Sequence, residues 1–303
     1  MAGHPSGVGT AVDDRLGTRE AARVPRDAQR GGFGGRILRP PCQIEWIFRI
    51  AVAMEFVGHG AFGLTTKAAW VPYFAVVGLP ESWAWRLMPA VGALDVTIGV
   101  LMLVVPIRAV LLHMAIWGLM TASLRPLAGE GIWELLERGY NYGVPLAFLL
   151  MVGVSAPLAG WFRRVEVQLT PARCRAAALT LRWSIALSLI GHGGIALFTH
   201  QRGTAYPAVL GLEPPSALVA LHAAAGLELA LGLAVLIAPT NGLLALVCVW
   251  KIATEALRIP VGEPIWEFIE RGSAYAAPVL LILLQADHAG LRDNHEGAYD
   301  FIR

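Results

Sequence analysis

Charge is scarce in this chain. Of its 303 residues, 15% are Asp, Glu, Lys or Arg, where soluble domains carry roughly 25%. Hydrophobic residues make up 56%, and mean hydropathy is +0.57. These values exclude an ordinary soluble protein. A basic excess is missing too: the net charge of +2 provides no field for nucleic acid. Cysteine is nearly absent. Cys42, Cys174 and Cys248 form no C-x-x-C pair, which removes a disulfide framework and a thiolate metal site. No G-x-x-x-x-G-K-[ST], C-x-x-C-H or H-E-x-x-H occurs, so nucleotide hydrolysis, c-type haem and zincin chemistry have no motif. No apolar stretch follows the opening Met, so the start does not read as a secretory signal. Residues 1–43 read instead as a disordered cytosolic extension; the first 40 residues hold seven Arg and four acids.

What the chain does have is a repeat. Gly129-Glu130-Gly-Ile-Trp133-Glu134-Leu-Leu-Glu137-Arg138-Gly139 returns 133 residues later as Gly262-Glu263-Pro-Ile-Trp266-Glu267-Phe-Ile-Glu270-Arg271-Gly272. The same gapless offset carries Arg49 onto Arg182, Gly58-His59-Gly60 onto Gly191-His192-Gly193, and Asp95 onto Glu228. It also carries Trp117 onto Trp250, Thr121 onto Thr254, Arg125 onto Arg258, Tyr142 onto Tyr275 and Pro145 onto Pro278. The chain therefore reads as a duplicated unit.

A helix crossing the hydrocarbon core needs about 20 mostly apolar residues. Eight segments qualify, four per half: 44–64, 85–105, 107–124 and 139–160, then 177–198, 216–237, 242–258 and 273–285. The expected fold is all-α and polytopic, with two tandem four-helix membrane repeats at 44–160 and 177–286. A basic cytosolic linker at 161–176 joins them, and a polar cytosolic tail follows from 287 to 303. The segments 65–82 and 199–215 read as interfacial, with Tyr73 matching Tyr206. The N-terminal arm and the linker together hold eleven Arg, which places both termini and the linker in the cytoplasm. An even number of spans per half points both halves the same way, about a pseudo-twofold axis along the membrane normal.

Ionisable groups inside spans are costly, pair with one another and mark functional paths. On this topology His59, Asp95, Trp117, Thr121 and Arg125 gather in the outer leaflet as a polar pocket, and His192, Glu228, Trp250, Thr254 and Arg258 form its counterpart. The spacing of Trp117, Thr121 and Arg125 puts them on one helical stripe. Asp95 opposite Arg125 is equally readable as a static pair, and each His between glycines as a helix-packing device. Glu130, Trp133, Glu134, Glu137 and Arg138 read as a short interfacial helix, the rim or lid of its half's pocket; Glu263, Trp266, Glu267, Glu270 and Arg271 do the same in the second half. The halves differ at Glu55 against Ser188, and at Gly118 and Ala122 against Lys251 and Glu255. Lys251 and Glu255 are spaced to neutralise each other.

Arg49-x9-His59-Gly60, with Phe56 between, and its copy Arg182-x9-His192-Gly193 resemble the first-helix signature of DoxX-like membrane proteins. Ala225-Gly226-Leu227-Glu228-Leu-Ala-Leu-Gly232 is similar to that family's second-helix pattern. Gly63 and Ala196 stand where the family usually places a Lys. The resemblance implies four-helix units, a bacterial-type inner (cell) membrane and a link to quinol or thiol redox chemistry. The expected ligand is a membrane-soluble, polar-headed molecule, a quinone foremost: Trp117 and Trp250 line an apolar slot, the His donate to an oxygen, and the carboxylates orient the ring or relay a proton. A redox role then needs a partner protein, since no flavin, haem or iron–sulfur motif is present. A b-type haem between His59 and His192 rests on axial His alone, which is a weak cue. A carrier of a small anion or lipid headgroup is the rival reading, and a structural membrane subunit is the third.

Overall fold

The computed structural model describes residues 40–198 and 205–300, with side chains over 41–198 and 205–286. The expected N-terminal extension lies outside the described residues up to position 39, as does 199–204 of the second interfacial segment. Among the described residues the chain is all-helical, with no strand. In the first half α1 spans Pro40–Leu64, α2 Val71–Val76, α3 Glu81–Val104, α4 Arg108–Leu127, α5 Ile132–Glu137, α6 Gly139–Val152 and α7 Leu158–Trp161. In the second half α8 spans Pro171–Phe198, α9 Ala205–Val209, α10 Pro214–Ile237, α11 Asn241–Ala256, α12 Arg258–Val261, α13 Ile265–Glu270 and α14 Gly272–Asp300.

Five of these helices, α1, α3, α4, α8 and α10, are long and apolar enough to cross a membrane. Their exposed positions are apolar as well: Ile116 is 58% exposed and Val219 69%. An aqueous surface would not tolerate such a continuous apolar exterior, so the helices point to a protein embedded in lipid. The other three expected spans come out differently. Helix α6 stops after 14 residues, at Gly153 with φ +82°. Arg108 closes that end by donating to the carbonyls of Val152, Gly153 and Gly160 at 3.0, 2.7 and 3.1 Å. Helix α11 has 16 residues and gives way to α12. Helix α14 runs on to Asp300, so the backbone of the expected tail continues the last helix.

Glycines set the closest helix contacts. A β-carbon on Gly60 would lie 2.6 Å from the Gly92 carbonyl, and one on Gly63 2.7 Å from Gly92 Cα. Helices α1 and α3 therefore run backbone to backbone, the packing that small residues permit. Arg49 of α1 donates to the carbonyls of Leu103 and Val104 at the end of α3, and Arg182 of α8 donates to Val235, Leu236 and Ile237 at the end of α10. Each guanidinium thus satisfies orphan carbonyls at the negative end of a helix. The core joins the two halves. Phe48 and Phe148 stack at 4.9 Å, and both lie in one buried cluster with Leu181, Ile185 and Leu189 of α8. The expected linker is likewise held down: Val165 bonds the Pro106 carbonyl at 2.9 Å, Val167 bonds Glu45 at 3.2 Å, and α8 begins inside it at Pro171.

Candidate functional site

The close approach of α1 to α3 has a chemical consequence. It brings His59 Nδ1 to 2.8 Å from Asp95 Oδ2. The same contact recurs between α8 and α10, where His192 Nδ1 lies 2.5 Å from Glu228 Oε2. Asp95 and Glu228 are buried, while His59 and His192 keep 21% and 29% of their side chains exposed. A carboxylate on Nδ1 fixes the neutral ring as the Nδ1–H tautomer and leaves the lone pair on Nε2. Neither Nε2 is hydrogen-bonded among the described residues. Each ring therefore presents a base on its accessible side, and a protonated ring would stay neutralised from behind. The expectation that the His donate to an oxygen holds only for that protonated form.

The tryptophans expected to line the slot sit beside these dyads on different terms. Trp250 Nε1 donates to Glu228 Oε1 at 3.0 Å, and Lys251 Nζ stands 3.9 Å from the same oxygen. Trp117 Nε1 and Asp95 Oδ1 are both buried without a protein partner. Trp117 borders a small cleft with Glu55, His59, Thr121 and Asn141. Thr121 and Thr254 spend their hydroxyls on the carbonyls of Trp117 and Trp250, each at 2.9 Å, so they brace their own helices.

Arg125 does not meet Asp95. Its Nη1 lies 2.9 Å from Glu130 and 3.4 Å from Glu134. Arg258 repeats this with Glu263 at 2.8 Å and Glu267 at 3.7 Å, and adds Glu255 at 2.5 Å. The static Asp95–Arg125 pair is therefore replaced by a rim network. The reason lies in the chain: Glu130 is five residues from Arg125, in the turn directly after α4, and Asp95 is already taken by His59. Tyr73 donates to Glu130 at 2.5 Å and Tyr206 to Glu263 at 2.8 Å. Burial, aided by the bond to Glu263, pushes the Tyr206 hydroxyl up to about 12, so it stays a donor. Both guanidiniums are paired with carboxylates.

The rim helices form where expected but pack elsewhere. Helix α5 lies against α8 of the second half, and α13 lies against α1 of the first. Gly58 and Gly191 make this possible, for a β-carbon on either would collide with the backbone of Glu270 or Leu136 at 2.6 Å. Trp133 stacks on Phe198 at 5.3 Å, and Trp266 packs against the buried cluster of Phe62, Trp70, Tyr73, Ala84 and Met88. Each rim thus closes over the other half's first helix. Ion pairs follow the exchange: Lys67 with Glu267 at 2.6 Å and Arg271 with Glu137 at 3.6 Å. Arg138 pairs with Glu137 and, at 3.1 Å, with Glu134. Burial by itself would raise the Glu137 carboxyl, yet Arg138 and Arg271 outweigh it and hold it at about 2. Glu267, half-buried, is held at about 2 by Arg271 and Lys67 against the raising effect of desolvation. The expected Lys251–Glu255 pair forms at 2.7 Å, and Arg271 joins Glu255 at 2.8 Å.

Sequence reasoning passed over Trp70, which stacks on His59 at 4.5 Å, and treated Tyr73 as an interfacial anchor although its ring is buried. The recurrence of Tyr73 as Tyr206 was the available signal. It also left Glu55 without a role; the carboxyl is buried and accepts a hydrogen bond from Ser273 of the other half. No protein-family model matches the chain, and no curated protein or solved structure shows significant similarity to it.

Proposed function

We propose that this chain is an eight-span membrane protein, two tandem four-helix units of DoxX-like type in a bacterial-type inner membrane, which binds a polar-headed, membrane-soluble molecule at its His–carboxylate dyads. A quinone or quinol is the ligand class. The observation that carries the reading is the recurrence of one dyad in two halves, His59 with Asp95 and His192 with Glu228, each with Nε2 unbonded. A quinol hydroxyl would donate to Nε2, and proton transfer there would create an imidazolium already paired with a carboxylate. The electrons would pass to a partner protein, so the chain alone would bind and exchange protons without turnover. Trp70 supports the reading, because its stacked indole gives the His59 side an aromatic wall. A carrier of a small anion is less well supported, since Arg125 and Arg258 are both neutralised.

The test is unbiased. The protein is purified in native lipid, its optical spectrum is recorded, and its bound small molecules are identified by mass spectrometry. Quinone or quinol is expected with the wild-type chain and lost from the His59→Ala/His192→Ala double variant. Equal amounts in both would remove the dyads from the site. A phospholipid or anion without quinone would favour the carrier, and a Soret band would favour haem.

A further inference from the structure

The two dyads are not chemically equivalent, and the difference points to a ligand. In the second half both oxygens of Glu228 are occupied, one by His192 at 2.5 Å and the other by Trp250 at 3.0 Å. In the first half Asp95 uses Oδ2 on His59 at 2.8 Å, while Oδ1 and Trp117 Nε1 are both buried and unpaired. Two changes at repeat-equivalent positions account for this. Aspartate is one methylene shorter than glutamate, so its outer oxygen stops short of the indole. Lys251, which stands 3.9 Å from Glu228, is replaced by Gly118. An orphaned acceptor and an orphaned donor are thus left at the two positions whose equivalents bond each other in the second half, with the carboxylate at 0% exposure, a costly arrangement for a protein interior.

In the second half the equivalent groups satisfy each other directly, at 3.0 Å. An oxygen that satisfies both orphans of the first half must accept from Trp117 Nε1–H and donate to Asp95 Oδ1. A hydroxyl does both; a carbonyl oxygen only accepts. Trp117 and His59, the partner of Asp95, both line one cleft with Glu55 and Asn141.

We propose that the first half is the ligand-binding half and that it takes its ligand by a hydroxyl group bridging Trp117 and Asp95, so that the reduced, hydroxyl-bearing form of a quinone-like molecule binds in preference to the oxidised form. The second half closes the equivalent position with its own side chains and braces the fold. The inference rests on the ligand class proposed above; it adds which half binds and which redox form, and in the first half it has the bridging hydroxyl donate to Asp95 Oδ1 in place of His59 Nε2.

The test uses the full-length protein in lipid nanodiscs with three probes: decylubiquinol, decylubiquinone and a long-chain alkylphenol that carries a hydroxyl but undergoes no quinone chemistry. Wild-type protein should bind the quinol and the alkylphenol at least about tenfold more tightly than the quinone. Asp95→Glu rebuilds the second half's closure. It should abolish that preference, weaken quinol binding about tenfold and raise the melting temperature, because both orphans become partnered. Trp117→Phe keeps the ring and removes the donor, and should also weaken quinol binding without raising the melting temperature. Equal affinity for quinol and quinone, or full quinol binding by both variants, overturns the proposal. Binding of the alkylphenol with neither ubiquinone form would defeat the quinone reading and leave the hydroxyl site standing. Failure of all three probes would defeat both.

Discussion

Gly58 and Glu270 meet across the two halves: a methyl group on Gly58 would lie 2.6 Å from Glu270 Cα. Backbone cannot retreat as a flexible side chain can, so Gly58→Ala should destabilise the protein by about 1–3 kcal/mol, the usual cost of overpacking. Gly226 on α10 has nothing within 4 Å of its would-be β-carbon. Gly226→Ala should therefore gain about 0.5–1 kcal/mol from helix propensity alone. Thermal melts in one detergent compare the two. Matching melting temperatures would mean that α13 does not rest on α1.

The dyad predicts a pattern of energetic coupling. A hydrogen bond to a charged group contributes about 1.5–3 kcal/mol, discounted here because His59 is 21% exposed. A double-mutant cycle with His59→Ala and Asp95→Ala should give a coupling of about 1–2 kcal/mol. The cycle with Asp95→Ala and Arg125→Ala should give less than about 0.5 kcal/mol, the additivity of residues without shared partners. A larger second value would restore the Asp95–Arg125 pair that the rim network displaces.

How much of this was legible in the sequence depends on whether the signal was local or relational. The all-helical class and the short rim helices were open to reading, because apolar runs of helical length and an i,i+4 Glu–Arg pair are local patterns. His59 with Asp95 and His192 with Glu228 came out as candidates because ionisable groups stand out in apolar helices. The partner of Arg125 did not. The sequence shows a cation at the end of a helix, and only the folded turn decides that Glu130 reaches it first. The exchange of rims between halves was hidden too, since Gly58 and Gly191 announce a close approach without saying which helix makes it. The orphaned Asp95 oxygen turns on one methylene, which a conservative Asp-for-Glu reading passes over.

Acid should loosen the junction of the two halves. Glu137 and Glu267 are each held at about 2 by neighbouring cations, while a free glutamate titrates near 4.3. A carboxylate with a depressed value stabilises the fold fully above its unfolded value, and that contribution is lost as pH falls through the folded one. The melting temperature should therefore decline between about pH 5 and pH 2, with on the order of 2–3 kcal/mol at stake for each group. Glu137→Gln and Glu267→Gln should start lower at pH 7 and flatten the acid limb. An unchanged slope in both variants would place the acid sensitivity elsewhere.

Orientation in the membrane can be read by single-cysteine labelling in intact cells, after Cys42, Cys174 and Cys248 have been replaced. The probe positions follow from the backbone. Gly131 sits at φ +92° and would strain under any side chain, whereas the adjacent Ile132 is 53% exposed at the start of α5. Leu158, 79% exposed at the start of α7, reports on the opposite end of the first half. On the proposed topology, positive charge retained on the cytoplasmic side would put the 161–176 segment inside, with Arg163, Arg164, Arg173 and Arg175. An Ile132→Cys protein should then react with a membrane-impermeant maleimide in intact cells, and Leu158→Cys only after permeabilisation. The reverse pattern would invert the topology and turn the dyads toward the cytoplasmic leaflet. Labelling of both positions in intact cells would mean that α4 and α6 do not carry the chain across the membrane between them as proposed.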